Sequence, residues 1–161
     1  MRILADGDSL QAEIRSLIWR RAEGEARRAA AQGGAPRFGL VFVAARKLPL
    51  PAGAELILVE GGPDAADTRI VELALPGDIA ITRDLPLAER LAELGVLVLN
   101  DRGDVFTREN VSERRSLRDR AAELRALGLA PESARGRTWG QRELKAFADA
   151  FDRELSRSLR V

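Results

Sequence analysis

The chain has 161 residues, 45% of them hydrophobic and 32% charged, with a net charge of +1, a length and mix that build one packed domain rather than a disordered tract. It contains no Cys, His or Tyr. That excludes disulfides, thiolate or imidazole catalysis, and the usual zinc and iron–sulfur ligand sets. No stretch approaches the ~20 apolar residues of a membrane span. The opening Met1-Arg2-Ile3-Leu4-Ala5-Asp6 reads as a strand rather than a signal peptide, so a cytoplasmic location without a membrane partner is expected.

Ile3-Leu4-Ala5 is a short apolar run ending in the polar turn Asp6-Gly7-Asp8-Ser9, the pattern of a buried strand. Asp8 or Ser9 can cap the helix that follows, which carries Ile14, Leu17, Ile18 and Arg21 at helical spacing and runs to about residue 31. Gln32-Gly33-Gly34-Ala35-Pro36 breaks it. Residues 39–44 form a continuous apolar strand, and 55–59 a third strand. Between them, Arg46-Lys47-Leu48-Pro49-Leu50-Pro51 is a loop with no room for a helix. The third strand is therefore either parallel through a minimal crossover or antiparallel at an edge.

A helix over 64–75 follows, with Ala66, Ile70, Leu73 and Ala74 as its apolar stripe. Residues 78–82 are a fourth strand, a helix marked by Leu87, Leu91 and Leu94 stops at Gly95, and 96–99 are a fifth strand. An Arg-rich helix is predicted over 108–127 and a polar linker over 130–136. Thr138 then caps a last helix carrying Leu144, Phe147, Phe151 and Leu155. Trp19 and Trp139 fall within helices and read as packing residues before base-stacking platforms. The alternation predicts a single α/β domain over 1–161, with a mostly parallel sheet of about five strands, helices on both faces, and 130–161 as a helical extension packed on it.

Net charge is −3 over residues 1–107 and +4 over 108–161. The basic third is either a solvated helix face or a surface for nucleic acid. There is no P-loop, no GxGxxG and no GxSxG, which argues against nucleotide-triphosphate, dinucleotide and α/β-hydrolase chemistry.

Open α/β sheets bind ligands at the carboxyl ends of their strands. Acids gather there: Asp6 and Asp8 after the first strand, Asp84 after the fourth, Asp101 after the fifth, and Asp64 and Asp67 at the start of the helix after the third. With the first strand central and the fourth beside it, Asp6 and Asp84 should be neighbours. Crowded carboxylates repel unless a cation lies among them, and carboxylates without His suit Mg²⁺ or Mn²⁺. Against this stands helix capping, which accounts for Asp8, Asp64 or Asp84 taken singly. Thr82 and Ser9 add hydroxyls at the same edge. Arg46, Lys47 and Arg69 are candidate phosphate contacts, although Arg69 can equally neutralise Asp67.

The chain resembles the YaiI/YqxD family of uncharacterised bacterial proteins, grouped with the PIN- and NYN-like nuclease folds. The resemblance runs nearly from end to end. It rests on Ile3-Leu4-Ala5-Asp6-Gly7-Asp8, Val43-Ala44-Ala45-Arg46, Asp64-Ala65-Ala66-Asp67-Thr68-Arg69-Ile70-Val71 and Leu99-Asn100-Asp101-Arg102-Gly103, with Gln141-Arg142-Glu143 and Phe147-Ala148 near the end. Its most specific block is Gly77-Asp78-Ile79-Ala80-Ile81-Thr82-Arg83-Asp84-Leu85-Pro86-Leu87-Ala88. Where the family usually has Asp-Ala-Asp-Ala-Cys-Pro, this chain has Asp6-Gly7-Asp8-Ser9-Leu10-Gln11, which keeps both acids.

The resemblance implies a PIN-like three-layer sandwich with Asp6, Asp8, Asp67 and Asp84 binding Mg²⁺ or Mn²⁺. The expected function is a metal-dependent ribonuclease with Asp6, Asp67 and Asp84 as catalytic ligands and Arg46, Lys47, Arg69 and Thr82 toward the substrate. Two alternatives are a non-catalytic module that binds RNA or protein through Arg114, Arg115 and Arg118, and a small-molecule phosphatase.

Overall fold

The computed structural model describes residues 1–62, 64–129 and 138–160. The expected linker at 130–136 lies outside the described residues.

Strand β1 (Arg2–Asp6) sits at the centre of a six-stranded sheet. Its side chains alternate, with Ile3 and Ala5 on one face and Leu4 on the other, and both faces are buried. Parallel strands flank it: β2 (Gly39–Ala44), then β3 (Glu55–Leu58), on one side, and β4 (Ile79–Ile81), then β5 (Leu97–Leu99), on the other. A sixth strand, β6 (Val105–Phe106), pairs antiparallel with β5, giving the order β3-β2-β1-β4-β5-β6. The sequence reading missed β6 because two residues carry no periodicity.

The join between β2 and β3 is parallel, not a hairpin. The ten joining residues cross without a helix, and Leu50 and Ala54 pack on the core in its place. The sheet is thus an open, mostly parallel one with helices on both faces, a three-layer α/β arrangement.

One face carries α1 (Ala12–Ala31) and α5 (Gln141–Ser158). Ile14 and Ile18 of α1 and Phe147 and Phe151 of α5 are fully buried against Ile3, Phe42, Ile79 and Ile81. The two phenylalanine rings stack with centroids 5.7 Å apart. The helix α5 begins later than expected. Its N-cap is Gly140, whose N–H donates to Glu143 Oε2 at 3.0 Å; Thr138 and Trp139 precede it.

The opposite face carries α2 (Ala65–Leu73), α3 (Leu85–Glu93) and α4 (Val111–Ala126). Ile70, Leu87 and Leu91 bury against Leu4, Val41, Ala80 and Val98. The helix α4 buries only Val111. It is held by charge: Arg115 pairs with Glu89 at 3.1 Å and Glu93 at 2.7 Å, and Arg118 pairs with Glu89 at 2.6 Å. Among the described residues, no helix is long and apolar enough to cross a membrane.

Candidate acidic site at the carboxyl edge of the sheet

The chain leaves β1 toward the α1 face and leaves β4 toward the α3 face. Their carboxyl ends therefore diverge and open a crevice, the place where open α/β sheets hold ligands. Asp6 is the last residue of β1 and is buried. Its Oδ2 accepts the Thr82 hydroxyl at 2.7 Å, and its Oδ1 accepts the Ser9 N–H at 3.4 Å. Thr82, buried just past β4, uses the same Oγ1 to accept the Asp84 N–H at 3.0 Å. One hydroxyl thus fixes both acids. Thr82 is buried, and these two bonds engage its hydroxyl.

Asp84 is the N-cap of α3, with Oδ1 accepting the Leu87 N–H at 2.7 Å. The capping role expected of it is therefore real, and it leaves the second carboxylate oxygen uncommitted to the cap. Asp67, in the first turn of α2, is half-buried beside Asp84, Asp6 and Asp64. Burial first, then repulsion from those three acids, pushes its carboxyl up to about 6, and Arg90 on α3 pulls only weakly the other way. The structure therefore brings Asp6, Asp67 and Asp84 into one electrostatic cluster and adds Asp64, which holds the N-cap position of α2 without a side-chain capping bond. The cluster is loose. Among the described residues, no three acidic side chains are gathered tightly enough to enclose an ion as they stand.

Asp8 goes elsewhere. The chain turns at Gly7, whose N–H donates to Val43 O at 2.8 Å, so the two carboxylates of Asp6-Gly7-Asp8 do not share a side as they would on an extended strand. Asp8 Oδ2 accepts the Ala45 N–H at 2.6 Å and Oδ1 lies 3.3 Å from Arg46 Nε, tying the end of β1 to the end of β2. Neither Asp8 nor Ser9 caps α1, whose N-cap is Gln11. Arg46 is thus partly engaged by Asp8, while Lys47 is exposed. Arg69 pairs with Glu72 at 3.1 Å rather than with Asp67, because residues two apart on a helix point away from each other.

One cation at this edge has no sequence signature. Arg83, between Thr82 and Asp84, places Nε 3.1 Å from the buried Asp101 Oδ2, and its Nη1 donates to Ser9 O at 3.4 Å. Its N–H donates to Ser9 Oγ at 3.1 Å. Asp101 also accepts the Gln11 amide at 2.8 Å, and its carbonyl accepts Trp139 Nε1–H at 3.1 Å. Asp101 is therefore the anchor for Arg83, not a member of the open cluster. The α4 arginines of the alternative RNA- or protein-binding reading are partly exposed and each has a partner within the chain: Arg115 and Arg118 pair with Glu89, and Arg114 lies 3.8 Å from Asp104 and over the Phe106 ring.

The profile of an uncharacterised bacterial family, YaiI/YqxD, matches residues 8–157. A UPF0178 protein of Treponema denticola is 37% identical, covering 99% of this chain and 95% of its own length. One of Treponema pallidum is 40% identical, covering 100% and 85%. Another, of Pseudomonas fluorescens Pf0-1, is 44% identical over 77% of this chain and 82% of its own. The profile match runs from just after β1 and Asp6 almost to the end of α5, the Treponema relatives cover 99–100% of the chain, and the chain belongs to the YaiI/YqxD family.

Proposed function

We propose that the chain is a divalent-metal-dependent phosphodiesterase acting on RNA, of PIN-like type, with Asp6, Asp67 and Asp84 as its acidic centre. The observation that supports this best is the gathering of Asp6, Asp84, Asp67 and Asp64 at the crevice between β1 and β4, where burial and mutual repulsion raise the Asp67 carboxyl to about 6. Acids that repel one another at a ligand crevice form a site short of positive charge. Their donors are all oxygens, the chemistry that suits Mg²⁺ or Mn²⁺.

Asp6, Asp67 and Asp84 would hold the ion, which when bound supplies a Lewis acid toward the phosphodiester and lowers the pKa of water. The protein's own contribution is orientation. Thr82 locks Asp6 and the Asp84 backbone in register, and the α3 cap fixes the Asp84 side chain. Arg83, held by Asp101, presents a guanidinium edge beside these acids for a phosphate, with Lys47 and Arg46 on the β2 side.

The test is cleavage of a single-stranded RNA oligonucleotide in Mn²⁺ by the wild type, Asp6→Asn and Asp84→Asn, with melts as fold control. Asn caps a helix as well as Asp, so Asp84→Asn should stay folded while losing at least about 100-fold in cleavage. Absence of cleavage by the wild type, or full activity in Asp84→Asn, would overturn the proposal.

A further inference from the structure

We propose that the cleft between α3, α4 and the β5–β6 hairpin is a nucleobase subsite adjoining the acids; this rests on the phosphodiesterase reading and names the part of the RNA that the chain grips. The cleft has a volume of about 280 Å³ and is lined by Leu85, Asn100, Phe106, Arg114, Leu117 and Arg118. It opens at the same edge of the sheet as the acidic cluster. Leu85 directly follows Asp84, and Asn100 directly follows Leu99, whose carbonyl accepts the Thr82 N–H at 3.1 Å. A nucleotide whose phosphate lies at Asp84 therefore has this cleft beside it.

Its chemistry suits a flat, uncharged group. Leu85, Leu117 and Phe106 supply apolar wall, and Leu117 is 54% exposed on a helix that buries almost none of its own apolar surface. The Arg114 guanidinium carbon stands 4.8 Å over the Phe106 ring centroid. The ring and the cation together offer a cation–π pair beside which a single-stranded base can stack, as bases do on aromatic and arginine side chains. The two arginines of the cleft are balanced by Glu89 and Asp104, so it carries no net charge to attract a bare phosphate. Its volume, near the lower limit for small-molecule sites, fits one base rather than a larger ligand.

The experiment is methyl and amide NMR on the full chain in EDTA, titrated with adenosine 5′-monophosphate and, separately, ribose 5-phosphate. Adenosine 5′-monophosphate should shift Leu85 and Leu117, and ribose 5-phosphate should not. Arg114→Gln and the surface variant Leu117→Asp should each weaken that binding about tenfold. Base-dependent shifts in a protein that cleaves no RNA would uphold the cleft and remove the hydrolytic reading. Equal shifts with ribose 5-phosphate, or RNA cleavage without any shift at Leu85 and Leu117, would overturn the cleft and leave the hydrolytic reading in place.

Discussion

Removing the charge of Asp67 should stabilise the protein at neutral and alkaline pH and leave it unchanged in acid. Asp67 is half-buried next to Asp84, Asp6 and Asp64, and its carboxyl titrates at about 6 against an ordinary value of 3.8. Between those values the native state holds a proton that the unfolded chain has released. Stability is therefore fully present below about pH 4 and declines as pH rises through 6. A displacement of this size is worth about 3 kcal/mol at full strength. A half-exposed group is screened by solvent, so about 1 kcal/mol is expected. In a chain of this length that is about 3 °C in Tm. Thermal melts of wild type and Asp67→Asn at pH 4 and pH 8 measure it directly. The two proteins should melt together at pH 4, and the variant should melt about 3 °C higher at pH 8. A variant less stable at pH 8, or a difference independent of pH, would refute the picture of a strained acidic cluster.

Thr82→Val keeps the shape but removes the hydroxyl that serves Asp6 and the Asp84 N–H; it should cost about 2–3 kcal/mol in a denaturant titration, and Thr82→Ser should restore most of it. Glu25 accepts the Arg37 N–H, the Arg37 guanidinium and Arg28, which together hold its carboxyl down at about 2. This stabilises the fold above about pH 4.5 and is lost as pH falls toward 2. Glu25→Gln should therefore cost about 1–2 kcal/mol at pH 7 and converge with the wild type in acid melts. Gly103 has φ +82°, and a Cβ there would stand 2.6 Å from Ala146 O, which belongs to the α5 backbone. Gly103→Ala should cost about 2–3 kcal/mol by denaturant titration, because neither the strained φ nor the helix backbone can yield cheaply.

The continuous apolar runs at Ile3-Leu4-Ala5 and at Val41-Phe42-Val43 are legible as buried parallel strands because both their faces are covered. Strand β3 and its crossover are not, since an exposed edge strand and a proline-rich loop carry no periodicity that fixes direction. The acids at Asp6, Asp67 and Asp84 are legible from their positions at strand ends and helix starts. Asp8 is separated from them by a bend at Gly7, and a two-residue spacing cannot reveal that bend. Arg83 and Asp101, or Gln11 and Asp101, meet only through the stacking of β1, β4 and β5 at one edge. No local pattern marks such a pair. The ion pairs of Arg115 and Arg118 are likewise hidden, because Glu89 and Glu93 lie on a separate helix.

The most direct test of the central claim is Mn²⁺ calorimetry at pH 6 on the wild type, Asp67→Asn and Asp84→Asn, run in two buffers of different ionisation heat. If the three acids form a cation site, the wild type binds saturably and releases a proton, because an entering cation forces Asp67 to ionise. Asp67→Asn then loses the proton release along with most of the affinity, and Asp84→Asn loses the affinity while still folding. Binding of equal strength in all three proteins, or no binding by the wild type at millimolar metal with and without RNA, would contradict the account.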